Sequence, residues 1–407
     1  MMQVADYSSF LEQARALHQE MLTVDTHCDT PGMLTLKGWD MGTRHPGGTL
    51  LGGDLDLIRM QEGGLSSAFL AVFVGQGPCT PEGRAQARDK ADGLLDALDI
   101  MFLTHPQLCE RALSPEDARR IHGTGKRAIF LGMENGYPLG LELDLLEVYY
   151  RRGIRYLTLC HASDNDLCAA CTYWSQGSMV SRISADTGLT EFGARVVRRM
   201  NELGMMVDVS HTSEQTVKDV LAITSVPVIA SHSGARTVSG HPRNLTDDQV
   251  RAIAAGGGVV QVLFVPSFLN PEPFDLEGDR VAEDLWSRRK ARYAVQTIGD
   301  DPAIDDAFEQ EYQSLLVTYP PPQASVTDVV NHIDHLVKIA GIEHVGIGSD
   351  FDGGARLTDC KDVTELPHLT AELLRRGYSE AAIRKIWGEN LLRVFDQVIA
   401  GSGTQKP

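Results

Sequence analysis

Eight short runs rich in β-branched and apolar residues recur along the chain, separated by amphipathic helical stretches. This alternation limits the fold more than any other feature. The runs are 22–27, 68–74, 128–133, 155–159, 205–210, 226–231, 259–265 and 344–349. Several are apolar nearly throughout, as expected for parallel strands covered on both faces. Helical periodicity marks 82–103, 143–152, 187–203, 213–223, 250–255, 326–340 and 379–399. Thr246-Asp-Asp-Gln249 reads as a capping box, and Gly204 as the glycine that ends a helix. Eight strand–helix units predict an α/β fold, a (β/α)8 TIM barrel with added helices at the N terminus (7–20) and the C terminus. Such barrels run long as one domain, so residues 1–407 are read as a single barrel domain. The acidic, aromatic-bearing segment 266–323 breaks the rhythm. It is expected to be a helical insertion between the seventh and eighth strands, as a lid, a subunit contact or an ordinary elaboration.

Composition removes several classes of function. The formal net charge is −18, and no Lys/Arg-rich run offsets it, which argues against nucleic acid as a partner. No stretch approaches 18 consecutive apolar residues, so no membrane-spanning helix is expected. No basic segment followed by an apolar one marks a leader, and the seven cysteines are odd in number and irregularly spaced. Both features predict reduced thiols and a cytoplasmic location. Cys168-Ala-Ala-Cys171, with Cys160 and His161 upstream, has no second CxxC to pair with. It is read as a pair of loop thiols rather than a structural zinc or redox site.

In a barrel the C-terminal ends of the strands gather at one mouth, where active sites are built. The eight runs end in an unusual set of residues. Strand one leads to His27 and Asp29, strand three to Glu134, strand four to His161, strand five to His211, strand six to His232 and strand eight to Asp350. Each alone has an ordinary explanation as a turn, a cap or a solvated group. Together, at one level of one barrel, they are the imidazoles and carboxylates that hold divalent ions such as zinc. Glu134 has the charge and the two oxygens to bridge two ions; His27 and Asp29 would complete one shell, His211 and His232 the other. A water shared by the ions would lose its proton near neutral pH and attack a carbonyl. Asp350 would take up that proton and return it to a leaving amine, and His161 would donate to the developing oxyanion. The other nine histidines fall on helices, loops or a strand start and are read as structural or surface groups.

The segments that carry these residues resemble the membrane dipeptidase (renal dipeptidase) family, among the metal-dependent barrels of amidohydrolase type. They are Val24-Asp-Thr-His27-Cys-Asp29, Gly132-Met-Glu134-Asn, Arg155-Tyr-Leu-Thr-Leu-Cys-His161, Val207-Asp-Val-Ser-His211, Pro227-Val-Ile-Ala-Ser-His232-Ser-Gly-Ala-Arg236, Pro242-Arg-Asn244-Leu and His344-Val-Gly-Ile-Gly-Ser-Asp350-Phe-Asp352-Gly, with Asn390-Leu-Leu-Arg-Val-Phe395 near the end. The resemblance covers residues 24 to 395, in the family's order. It implies hydrolysis of dipeptides by two Zn2+ ions held on His27, Asp29, Glu134, His211 and His232. It also implies Asp350 as acid/base, His161 as the carbonyl-polarising group and Arg236 as the grip on the substrate's carboxylate. Asn244 is expected in the same pocket, Asp352 as a supporting or turn residue, and a homodimer as the assembly.

The chain departs from the secreted, lipid-anchored mammalian members and resembles the soluble bacterial ones, some of which accept a D-residue at the C-terminal position. Two alternatives stay open at this level. One is another binuclear amidohydrolase, such as an N-acyl-amino-acid deacylase or a lactam hydrolase; fold alone does not decide the substrate. The other is a barrel that binds a partner without catalysis. A phosphate-binding isomerase is disfavoured, because Gly256-Gly-Gly258 precedes the seventh strand instead of following it.

Overall fold

Residues 7–175, 178–181, 187–270, 276–320 and 322–403 are described by a computed structural model. Eight of its strands form the ring: β1 (Val24–Cys28), β2 (Ser67–Phe73), β3 (Arg127–Glu134), β4 (Ile154–Thr158), β5 (Met206–Asp208), β6 (Ile229–Ala230), β7 (Val259–Val262) and β8 (Val345–Ile347). They follow one another around the sheet in chain order, and every neighbouring pair is parallel. The ring closes where β8 returns to β1: Asp350 N donates to His27 O at 3.0 Å, and Asp29 N to Phe351 O at 2.8 Å. The expected (β/α)8 barrel is thus observed, and each of the eight predicted runs supplies one strand.

Burial explains the composition of the runs. Residues of β1, β5, β6, β7 and β8 are buried throughout, because helices cover one face and the barrel interior the other. The few polar side chains inside are paired to one another. Asp208 accepts from Thr158 Oγ1 at 2.5 Å and Ser231 Oγ at 2.6 Å, and Thr26 Oγ1 donates to Ser231 O at 2.6 Å.

Local signals held where they were specific. The Thr246–Gln249 capping box is formed, and Gly204 ends its helix in the left-handed region with φ 75°. Elements too short to show periodicity were missed, among them helices Leu57–Gly63, Pro115–His122 and Pro367–Arg375. A ninth strand, Cys109–Arg111, pairs with Arg127–Ile129, the part of the β3 edge that β4 leaves open by starting its pairing at Leu131. The loop with the CxxC leads into an antiparallel hairpin, Thr172–Ser175 with Ser178–Ser181. The helix expected over 379–399 is interrupted by a π-helical turn at Lys385–Glu389. There a Cβ on Gly388 would lie 2.7 Å from Leu22 O and 2.9 Å from Val24 Cγ2, so the close approach of this turn to β1 requires glycine.

Between β7 and β8 lie helices Pro266–Leu269, Leu276–Tyr293 and Pro302–Thr318, followed by Val326–Ala340; residues 271–275 and 321 of the predicted insertion lie outside the described residues. The two long helices build a small core of their own from Leu285, Tyr312 and Leu315 against Leu50. They are tied to the long connection after β1: Lys37 N donates to Tyr293 O at 2.8 Å, Arg289 Nη1 to Leu50 O at 2.6 Å, and Leu50 N to Glu309 Oε2 at 2.9 Å. This connection leaves the C-terminal end of β1, so the helices stand on the mouth side of the barrel. Among the described residues no helix is long and apolar enough to cross a membrane.

Candidate metal centre

Glu134 ends β3 and is 2% exposed. Its two oxygens face different partners. Oε2 is 3.5 Å from His27 Nε2, while Oε1 is 3.0 Å from His211 Nε2 and 3.4 Å from His232 Nε2. Around His27 Nε2 also stand Asp29 Oδ2 at 3.7 Å and Asp350 Oδ1 at 3.9 Å. Two donor sets therefore share one carboxylate. His27, Asp29 and Asp350 converge as one group able to hold an ion, and Glu134 joins His27 and His232 in a second and His161 and His211 in a third.

The interior of the barrel prepares these side chains. His27 Nδ1 is 2.8 Å from the Tyr156 hydroxyl, which turns Nε2 toward the carboxylates. His232 Nδ1 is 2.8 Å from Ser231 Oγ. That hydroxyl donates to Asp208 Oδ2, so the ring nitrogen must donate to it and Nε2 keeps its lone pair. Such outer contacts fix the tautomer and angle of a ligating histidine. The register of β1 slips between Asp25 and Cys28, and Asp29 caps the 3-10 turn Thr30–Thr35, yet its side chain still meets that of His27.

The residues fit divalent ions on three counts. His211 Nε2 and His232 Nε2 lie 2.9 Å apart and both face a carboxylate oxygen, an arrangement of lone pairs that a cation satisfies. His27 Nε2 and Asp29 Oδ1 are buried without a hydrogen-bond partner, which is costly unless a cation meets them. Electrostatics agree. Burial opposes ionisation of Glu134, but the neighbouring imidazoles, His27 and His161 first and then His211 and His232, outweigh it and hold its carboxyl well below the usual range. Burial, then the charge of Arg243, keeps His211 well below its ordinary value, and burial does the same for His232; both are neutral imidazoles, the form that binds metal. Burial lifts the Asp350 carboxyl to about 8, reinforced by Asp29 and Glu134 and opposed by His27.

Strain marks the same place. The positive-φ residues other than glycine, among those described, are Asn135 (78°), His211 (68°), Asp350 (68°) and Asp352 (63°). All four follow strand ends at the mouth, where costly backbone is found when function needs it. Asp352 takes the supporting place expected of it, accepting from Thr30 Oγ1 at 2.6 Å and Asp54 N at 2.7 Å.

His161 completes the cluster at its rim. Its ring packs 4.3 Å from that of His211 and 4.7 Å from that of Phe73, and burial lowers its pKa, leaving a neutral N–H donor. One expectation meets a different geometry. Arg236 does not reach toward the cluster: its Nε donates to Asn244 O at 2.9 Å, its Nη2 to Pro242 O at 2.9 Å, and its Nη1 pairs with Glu214. Asn244 is 1% exposed; its Nδ2 donates to Ser239 O (3.0 Å) and Phe268 O (2.7 Å), joining two loops, while its Oδ1 is buried without a partner. The arginine at the cluster is Arg243, between them in sequence and 2% exposed. It donates to His232 O at 2.6 Å and Ser233 Oγ at 2.9 Å, and its Nε is buried without a partner. Sequence reasoning quoted Pro242-Arg-Asn244 yet passed over its arginine, because loop residues carry no periodicity that tells which one turns inward. It also missed Tyr156, Asp208 and Ser231, whose roles depend on contacts across the barrel. Cys168 and Cys171 are buried free thiols, as are Cys28, Cys109, Cys160 and Cys360, while Cys79 is free and exposed.

Known proteins share this fold over their full length. The probable dipeptidase PvdM from Pseudomonas aeruginosa is 31% identical, over 97% of this chain and all (100%) of that one, with a TM-score of 0.80. The metallopeptidase dipeptidase AC of family M19 is 26% identical over 94% of this chain and 99% of its own, with a TM-score of 0.70. A metallopeptidase from Rhodobacter sphaeroides, solved with a phosphinate mimic of the dipeptide L-Ala-D-Ala, is 25% identical over 93% of this chain and 99% of its own, with a TM-score of 0.69. The sequence profile of the membrane dipeptidases matches residues 11–405. With that match spanning nearly the whole chain, the protein belongs to the membrane dipeptidase family, peptidase family M19.

Proposed function

We propose that this metallopeptidase hydrolyses dipeptides with two Zn2+ ions bridged by Glu134, one completed by His27 and Asp29 and the other by His211 and His232. The observation that carries the reading is the division of Glu134, one oxygen toward His27 and the other toward His211 and His232. Bound there, two such ions supply an activated water and polarise the scissile carbonyl.

The chain's own groups do the rest. Arg243, rather than Arg236, binds the substrate's terminal carboxylate. The reading is supported by its burial, its unpartnered Nε and its place against His232. His161 donates its N–H to the carbonyl oxygen as negative charge develops there. Asp350, raised toward neutrality by burial, takes a proton from the attacking water and delivers it to the leaving nitrogen. The relative solved with an L-Ala-D-Ala mimic supports a substrate range that includes L-Xaa-D-Xaa as well as L-Xaa-L-Xaa. We also propose a cytoplasmic homodimer, the location in keeping with seven free cysteines; light scattering tests the assembly.

A panel of L-Xaa-L-Xaa dipeptides, their L-Xaa-D-Xaa partners and N-acetylated blanks tests the function on zinc-loaded protein. Cleavage of the free dipeptides and not of the blanks is expected. Cleavage of blanks alone would move the assignment to a deacylase.

A further inference from the structure

The mouth carries a cation that the proposed chemistry does not use. Lys90 lies on helix Pro81–Thr104, which follows β2. Its Nζ stands 5.2 Å from the centre of the Phe73 ring. Phe73 is the last residue of β2, pairs in register with Glu134, and packs its ring at a tilt against that of His161. A short chain of contacts therefore leads from Lys90 to the catalytic cluster.

Other cations on this helix are neutralised: Arg84 pairs with Asp166 at 2.7 Å and Arg88 with Glu142 at 2.6 Å. Lys90 has no ion pair or hydrogen bond among the described residues. It is solvent-exposed, and partial desolvation and the like charge of Lys290 lower its pKa while the charge of Asp29 raises it. Lys290 lies on helix Leu276–Tyr293, anchored above the β1 connection. Lys90 thus offers an ammonium group beside the mouth that no acid pairs with among the described residues, in a chain of net charge −18. A cation with no ion-pair partner of its own is open to an arriving anion.

The topology says which part of a substrate would supply that anion. In a ring of eight strands in chain order, β2 lies across from β6. Arg243 belongs to the loop after β6, and Lys90 to the helix after β2. A dipeptide whose terminal carboxylate rests on Arg243 points its other residue toward Lys90.

We propose that Lys90 forms a subsite for an acidic side chain on the N-terminal residue of the dipeptide. The preferred substrates are then L-Asp-Xaa and L-Glu-Xaa. This specificity rests on the dipeptidase reading above, and the experiment separates the two.

The test compares kcat/KM for L-Glu-L-Ala and its isostere L-Gln-L-Ala at low ionic strength. The native enzyme is expected to favour the glutamyl substrate about fivefold, the value of one partly exposed charge pair. K90Q should bring the ratio near one, K90E should push it below one, and K90R should keep it. K218Q, which removes a charge from an exposed outer-helix position, should leave the ratio as in the native enzyme. A native ratio of one or less, or a ratio unchanged in both K90Q and K90E, overturns the proposal. Failure to cleave any dipeptide would overturn the dipeptidase reading instead. The subsite is then judged by calorimetric titration of the same two dipeptides, in which the same ratio is expected in affinity and equal affinity overturns it.

Discussion

The hydroxyl of Tyr156 lies 2.8 Å from Nδ1 of His27, and this contact decides which nitrogen of that histidine faces the carboxylates of the mouth. Tyr156 sits inside β4 and is fully buried, so the bond is shielded from water. Tyr156→Phe keeps the ring and removes the hydroxyl. The variant should fold and lose metal affinity about 10- to 100-fold. Competition with a chelator measures this; an affinity equal to that of the native protein would mean that packing alone orients His27.

Glu134 serves both donor sets, so its loss should not be local. Glu134→Gln keeps the shape and removes the charge. Metal content after dialysis should fall from two ions per chain to one or fewer, and dipeptide hydrolysis to background. Two tightly held ions in E134Q would refute the bridging role.

Arg243 and Arg236 make opposite predictions. Arg243→Lys keeps a positive charge and loses the planar fork, so the preference for L-Ala-L-Ala over its C-terminal amide should drop by roughly a hundredfold, the scale of a desolvated charge pair. Arg236→Gln removes the bond to Glu214 in a partly exposed region and should leave that preference unchanged. A preference lost in R236Q and kept in R243K would restore the first expectation.

His18 makes the stability of the barrel pH-dependent. Its Nε2 accepts from Thr370 Oγ1 at 2.7 Å, the hydroxyl that in turn accepts from Trp387 Nε1 at 2.7 Å, while Nδ1 donates to Gly63 O at 3.1 Å. Burial lowers its pKa to about 3, so the fold prefers the neutral ring. The unfolded chain protonates first, near 6.5. Stability from this group is therefore complete above that pH and is lost as pH falls through 6.5 toward 3. By pH 5 the loss is about 2 kcal/mol. The unfolding free energies from urea titrations at pH 7.5 and 5 should differ less in His18→Gln than in the native protein, by about 2 kcal/mol; an equal difference would exclude His18 as the source.

Gly388 tests the seating of the C-terminal helix on β1. A methyl group there meets backbone and a valine side chain closer than 3.0 Å. Gly388→Ala should lower stability by about 1–3 kcal/mol without changing the metal content of the folded protein. A neutral effect on the urea midpoint would show that the turn can shift.

The barrel and the core of the candidate site were legible in the sequence because both rest on local patterns repeated in order. Eight apolar runs required eight strands buried on both faces, and a parallel ring puts all their C-terminal ends at one mouth. His27, Asp29, Glu134, His161, His211, His232 and Asp350 needed no more than their places at or just past strand ends. Tertiary structure alone decided what surrounds them. The Tyr156 hydroxyl on His27, Ser231 between His232 and Asp208, and Lys90 over Phe73 are contacts across or beside the ring, and their partners carry no mark in the chain. The inward turn of Arg243 and the outward turn of Arg236 depend on where Glu214, Ser233 and the His232 carbonyl lie after the ring has closed. Local patterns set the height of a residue in the barrel; long-range packing sets its direction, because only the closed fold supplies the partners that satisfy each donor.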